Sequence, residues 1–312
     1  MTDTTNKPPT EAVLAPDVAT PEVVPAGAPQ GKPASLWSDA WKELRRKPTF
    51  VISAVIIVLM VVMALFPTLF TSVDPRDCNL LDALQPPSSE HWFGFDLQGC
   101  DYYSRTIHGA RNSVAIGVVV TLFSTLIAVT LGSLAGYKGG WIDSVLARLA
   151  DIFFAIPLIL AGIVLLNALG SKSVWTVSAV LVVFGWPTML RLMRSSVLSV
   201  RELDYVDAAR ALGASDWRII TRHVLPNGIT PVIVYATITV GVVIAVEATL
   251  SFLNVGLQLP AISWGLMISV AQNRILEAPH LLFFPGLFLS VTVFSFILMG
   301  DALRDALDPK LR

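Results

Sequence analysis

Arg201-Glu202-Leu203-Asp204-Tyr205-Val206-Asp207-Ala208-Ala209-Arg210-Ala211-Leu212-Gly213-Ala214-Ser215-Asp216-Trp217-Arg218, running on to His223-Val224-Leu225-Pro226-Asn227, is the longest polar, helix-forming segment between two strongly apolar ones. Residues 203–212 are rich in Ala, Leu and Arg, which are good helix formers. Gly213 stops that run, because glycine takes positive φ at a helix C-terminus without penalty. Ser215 then reads as an N-cap and Asp216 as a first-turn acid that suits the helix dipole. A second short helix is expected to reach about His223, with Pro226 closing it. The stretch is thus a helix, a tight turn and a helix, with Asp207, Arg210 and Arg218 open to water or to a partner.

On either side of this loop the chain turns apolar. Of its 312 residues 54% are hydrophobic and 14% charged, against about 25% charged in soluble domains, so the composition is that of a membrane protein. The net charge of -1 gives no indication of nucleic-acid binding. Residues 1–35 hold seven prolines from Pro8 to Pro33 and no apolar run. They read as a disordered tail with no signal peptide. In residues 36–50, Trp37, Trp41 and Leu44 fall at i, i+4 and i+7 beside Lys42, Arg45, Arg46 and Lys47. That pattern fits a short amphipathic helix lying on the lipid surface, or simply the basic flank of the next segment.

Residues 51–70 form the first uncharged run, long enough to cross ~30 Å of hydrocarbon at ~1.5 Å per residue. Further runs cover 113–136, 152–169, 174–190, 228–253 and 281–300. Six spans put both termini on one side. The domain expectation is a loop over 71–111, a five-helix core over 112–303 containing the 201–227 loop, and a tail over 304–312. With the N-terminus cytoplasmic, the outer regions carry only Arg76, Arg105, Arg111, Lys172 and Arg274. The inner regions carry Lys42, Arg45, Arg46, Lys47, Lys138, Arg148 and the basic residues of the 201–227 loop, among others. This bias places that loop and both termini in the cytoplasm.

Chemistry-bearing constellations are few. His91, His108, His223 and His280 are scattered without metal spacing, and no Ser-His-Asp or Cys-His arrangement can be defended. The sequence has no GxxxxGK[ST], so a pump built on it draws ATP energy from another subunit. Asp151 follows Arg148 by three residues, a helical pairing distance. Glu247 lies in the apolar run 228–253, roughly 28 Å along it at ~1.5 Å per residue. It reads either as a carboxylate reaching outer water or capping the following polar turn, or as a gate residue at the outer mouth of a pathway.

Asp207-Ala208-Ala209, Gly213, Leu225 and Pro226 fall at the spacing of the EAA loop, and here the chain resembles permease subunits of bacterial ABC importers. Asp207 stands where the pattern has Glu, and His223 where it has Ile. Three further patches resemble the dipeptide, oligopeptide and nickel branch of that family. They are His91, Gly94, Asp96, Gly99, Asp101, Ser104 and Arg105; Ser251 to Gln258 with Pro260, Ser263, Trp264 and Gly265; and the tail from Gly300 to Pro309. The resemblance covers roughly residues 40–312. Cys100 departs from the branch pattern, where a basic residue is usual. That departure puts a second cysteine in the same outer loop as Cys78, which suggests a disulfide.

The resemblance implies an all-α integral membrane protein with six transmembrane helices of the type I ABC importer permease fold. It also implies a cytoplasmic coupling helix, whose ATPase-contacting residues are Asp204, Tyr205, Asp207, Ala208, Ala209, Arg210, Ala211, Leu212, Gly213 and Ala214. The chain itself would need no cofactor, with ATP and Mg held by two partner ATPase subunits. Its other partners would be a homologous second permease, an extracytoplasmic substrate-binding protein and membrane lipid, and the transported class would be peptides. Nickel or another small solute is the alternative within the family. An ion-coupled secondary transporter is the alternative outside it, but it calls for midplane ion ligands and an internal repeat, and neither is visible.

Overall fold

The computed structural model describes residues 41–307; the tail expected over 1–35, residues 36–40 and the last residues of the 304–312 tail lie outside them. Among the described residues, five helices are long and apolar enough to cross a membrane. They are α1 (Pro48–Leu65), α2 (Tyr102–Lys138), α5 (Val174–Val200), α9 (Thr230–Phe252) and α11 (His280–Leu307). Each falls on one of the apolar runs.

The sixth run is different. Residues 152–169 do not form one rod: α3 (Gly140–Ala155) and α4 (Leu158–Leu169) meet at a bend of 85°. The cause is Pro157. A proline pushes the residue before it out of the helical region, and Ile156 is extended at φ -99°, ψ 117°. Pro187 also sits in an apolar run but inside intact α5. There Trp186 is buried against Ala128, Ala150, Met189 and Leu190, whereas Ile156 is 43% exposed and has no such packing to hold it helical.

The bent pair still carries the chain from one end of the bundle to the other. A Cβ on Gly132 would stand 2.8 Å from Met193 Cβ, and one on Gly136 2.8 Å from Arg194 O. Positions on α2 and α5 therefore advance together, and these two helices run parallel. The link between them must return the full length, and α3 with α4 is that link. At one end Ser196 Oγ donates to Gly228 O at 2.7 Å, and at the other Lys172 Nζ donates to Asn254 O at 3.0 Å. So α9 runs antiparallel to α5. The missing Cβ atoms let α2 and α5 approach closely enough for backbone-to-side-chain packing, the usual role of small residues between membrane helices.

Helix α2 begins eleven residues before the expected span. Asp101 caps it, accepting from Ser104 N at 2.7 Å, so Arg105 and Arg111 are helical rather than loop residues. The segment before it folds down on α2. Asp96 accepts from Gln98 N and Cys100 N and pairs with Arg105, while His91 Nδ1 lies 2.7 Å from Asp101 Oδ2. Cys78 and Cys100 are joined by a disulfide. Beyond α9 the chain does not leave the bundle. It turns back through α10 (Trp264–Ala271), whose fully buried Trp264 donates from Nε1 to Thr106 O at 2.9 Å. Burying a whole indole with its one donor satisfied makes this a firm anchor.

A helical turn over residues 41–44 precedes α1. Leu44 is buried against Ala302 and Ala306 near the end of α11, with Trp41 left 57% exposed. The amphipathic segment expected to lie on lipid is therefore partly a protein contact.

Candidate functional site: the loop between α5 and α9

Helix α6 (Asp204–Ala211) projects from the end of the bundle where α2 and α5 finish. Its sequence fixes both ends. Gly213 sits at φ +79°. Gly213 N donates to Arg210 O at 3.0 Å and Ala214 N to Ala209 O at 3.1 Å. These are the paired bonds of a Schellman motif, which satisfy carbonyls that the helix end would otherwise orphan.

The helix is two-faced. Val206 is completely buried with Met193, Val197, Ile219, Val224 and Val232. The opposite strip, Asp204, Asp207, Ala208, Ala211 and Leu212, is exposed, with Leu212 at 88%. Those positions are i, i+3, i+4, i+7 and i+8, a single helix face. Tyr205 and Arg210 are exposed beside it, while Ala209 and Ala214 are half-buried. Arg210 Nη1 donates to Asp207 Oδ1 at 2.6 Å. The exposed strip thus presents methyl groups and one large apolar side chain, edged by an ion pair, and Trp217 extends it at 72% exposure.

Beyond α6 the chain departs from the expected second helix. Ser215 occupies the N-cap position of α7 (Asp216–Ile219) but makes no side-chain capping bond. A π-helical turn, Ile220–Val224, comes next, then α8 (Leu225–Gly228) and α9 almost without pause. Pro226 therefore does not close the helix. A proline lacks the N–H an α-turn would use, and the wider π-turn absorbs that loss, with Leu225 N bonding to Ile220 O. His223 is half-buried 6.5 Å from the Tyr205 ring, and its carbonyl accepts from Asn227 Nδ2 at 2.7 Å.

The ties that hold the loop to the bundle were not visible in the sequence. Lys138, the last residue of α2, pairs with Asp216, and Tyr137 Oη donates to Asp216 Oδ1 at 3.2 Å. Lys138 first, and Tyr137 second, hold the Asp216 carboxyl below its ordinary range. Arg201 Nη1 donates to Gly136 O at 2.7 Å. Arg194 grips Asp143 through two bonds, fastening α3 to α5 beside the loop. Asp151 meets Arg148 at 3.8 Å, but its closer partner is Arg191 of α5 at 2.5 Å, whose guanidinium also lies 4.0 Å over the Phe154 ring.

Glu247 lies elsewhere and is not a surface residue. It is fully buried, so it neither reaches water nor faces an outer mouth. Oε1 accepts from Ser251 Oγ at 2.7 Å and Ser263 Oγ at 3.2 Å, and Oε2 has no partner. Ser251 Oγ in turn accepts from Leu257 N, and Ser263 caps α10 through Leu266 N. The carboxylate is thus the knot of the turn between α9 and α10. Counting residues placed it near the span's end correctly, but counting is blind to a chain that doubles back over that end.

The comparisons with known proteins fit this architecture. The family described as binding-protein-dependent transport system inner membrane component matches residues 128–312, and the N-terminal TM domain of oligopeptide transport permease C matches residues 35–87. The oligopeptide transport system permease protein OppC of Bacillus subtilis (strain 168) is 41% identical over 281 residues, covering 90% of this chain and 92% of that protein. The chain belongs to the binding-protein-dependent transport system inner membrane component family. This permease is also 38% identical to the glutathione transport system permease protein GsiD of Pectobacterium atrosepticum, over 88% of this chain and 92% of that one. It is 39% identical to the dipeptide transport system permease protein DppC of Alkalihalophilus pseudofirmus, over 89% and 91%. A chain of the MetNI methionine ABC transporter, solved in inward-facing conformations, superposes with a TM-score of 0.52 at 20% identity, covering 65% of this permease and 96% of that chain. The fold is that of a type I ABC importer permease. The protein is a multi-pass inner-membrane permease subunit of the ABC-importer family, and the ion-coupled alternative is not favoured.

Proposed function

We propose that this permease forms half of the translocation pathway of an ATP-driven importer of short peptides, and that α6 is its coupling helix. The observation that carries the coupling role is the division of labour within α6. One buried residue, Val206, and a ring of polar ties fix the helix to the ends of α2 and α5, while a whole face from Asp204 to Leu212 is left exposed, covered by no other element among the described residues. A helix held rigidly but covered on one side only is suited to pass force between a groove that receives its free face and the bundle behind it. The occupant fitting that role is an ATPase subunit. Two such subunits would hold ATP and Mg, and a homologous permease and an extracytoplasmic binding protein would complete the complex.

Peptide as the cargo rests on the relatives, named for oligopeptide, dipeptide and glutathione transport. The Lys and Arg bias supports an orientation with both termini and the α6 loop in the cytoplasm. ATP binding would close the ATPase pair, move the docked helices together, and tip the two permeases from inward-open to outward-open, a two-state element biased by the docking energy. Reconstituting this permease with its neighbouring subunits in proteoliposomes tests the reading. Dipeptide uptake driven by ATP is expected. ATP-independent uptake driven by an ion gradient would refute it.

A further inference from the structure

Three hollows meet around the turn from Leu259 to Ile262, at the end of the bundle opposite α6. The largest, about 540 Å³, is lined by Asp74, Arg76, His108, Arg111 and Asn112 among others. That size falls within the ~300–1,000 Å³ of small-molecule sites. Neither Arg76 nor Arg111 makes an ion pair among the described residues, and the Asp74 carboxylate meets only the backbone N–H of Arg76 at 2.8 Å. His108 spends Nδ1 on Ser104 O at 2.9 Å, leaving Nε2 for a ligand. Asn112 Nδ2 donates to Ile262 O at 2.8 Å and so fixes the turn against α2.

On the other side of the same turn lies a cavity of about 130 Å³ walled mainly by apolar groups, among them Ile262, Leu266, Met267 and Leu281. A third hollow, about 210 Å³, joins the two, sharing Arg76 and Pro260 with the cleft and Gln98 and Arg105 with the cavity. Arg105 pairs with Asp96, both side chains being about nine-tenths buried, yet its Nε–H has no acceptor. Arg105 nonetheless lines both the cavity and the joining hollow.

We propose that this tract is a receiving site for a short zwitterionic peptide. Resting on the peptide-importer reading above, it deepens that reading by naming a place for the cargo. Arg76 and Arg111 take the carboxylate, Asp74 takes the ammonium, and an apolar side chain enters the small cavity past Leu259. Other small ligands fit less well. An inorganic anion has no use for the apolar cavity or for Asp74, and a lipid acyl chain needs a longer groove than 130 Å³ provides.

The test uses the complete reconstituted complex and the photoreactive dipeptide alanyl-p-benzoylphenylalanine. Irradiation is expected to attach it to this chain within residues 96–105 or 259–271, and excess alanylphenylalanine should abolish the adduct. Arg76→Ala with Arg111→Ala should lower its yield at least tenfold, while Arg76→Lys with Arg111→Lys should retain most of it. N-acetylation or C-amidation of the competitor should weaken competition at least tenfold. An adduct elsewhere, or one insensitive to the alanine pair, overturns the site. So does a disulfide from Ser72→Cys to the neighbouring permease, which would make the cleft a subunit interface. Uptake of the same dipeptide by the unaltered complex is measured in parallel. Uptake with no adduct in the tract sinks the site alone; no uptake at all sinks the peptide reading.

Discussion

Replacing Gly213 isolates the geometry of the α6 turn from every other contact. Its φ is +79°, and nothing lies within 4 Å of where a Cβ would stand. An added side chain therefore meets no neighbour, and the whole cost comes from the backbone. For an L-residue in the left-handed region that cost is roughly 1–2 kcal/mol, with Asn paying least because it visits this region routinely. Gly213→Ala should cost about 1 kcal/mol and the β-branched Gly213→Val about 2 kcal/mol or more. On a two-state turn those figures reduce the population of the native geometry by about 5-fold and 30-fold. The Schellman bonds to Arg210 O and Ala209 O are lost with it, so α6 frays from its C-terminal end. The assay is uptake per ATP hydrolysed in proteoliposomes, with permease amount fixed by immunoblot, beside hydrogen exchange of the amides of residues 204–211. Membrane insertion should be unchanged, because no span is touched. Coupling and protection should fall in the order Gly, Asn, Ala, Val. Equal coupling in all four, or an order that tracks side-chain size and puts Asn below Ala, would refute the backbone account of this turn.

The same geometry sets other outcomes. In a background lacking Cys78 and Cys100, Ser89→Cys should be labelled by an impermeant maleimide on intact cells and Ser215→Cys should not; equal labelling would contradict the orientation. Mass spectrometry of a non-reduced digest should find Cys78 linked to Cys100, and free thiols at both in protein purified without reductant would refute the pairing. Opening that loop, a sequence separation of 22, should cost about 3 kcal/mol in the chain-entropy account. Glu247→Gln keeps an acceptor for Ser251 and Ser263 and should be mild, whereas Glu247→Ala strands both hydroxyls at about 1–3 kcal/mol. Thermal unfolding in detergent checks this, and equal midpoints for the two variants would count against the knot.

Much of this fold could be read from runs of apolar residues, because a bilayer demands ~20 of them per crossing and the demand leaves a mark in the sequence. The first helix of 201–227 and the turn that ends it were legible for a similar reason: Gly213 is a local requirement of the turn. What escaped were features decided by tertiary neighbours. Pro157 breaks its run while Pro187 does not, and the difference is the packing of Trp186 against α2 and α3. Asp151 looked paired within its own helix, yet Arg191 approaches it from α5. Pro226 read as a stop because a π-turn leaves no sequence signature. Within the candidate site, the exposed strip of α6 comes from helical period. The anchors Lys138 and Tyr137, and the Gly136 carbonyl that Arg201 holds, come from α2, and only folding brings them to the loop.

Coupling through α6 requires that its free face seat in an ATPase subunit. Leu212→Cys and Ala208→Cys on that face, and Val206→Cys on the buried one, each combined with single cysteines in the groove of the copurifying ATPase, test this under mild oxidation. Permease–ATPase disulfides are expected from residues 212 and 208 and none from residue 206. An intact, ATP-hydrolysing complex in which neither residue 212 nor residue 208 links to the ATPase would contradict the coupling role.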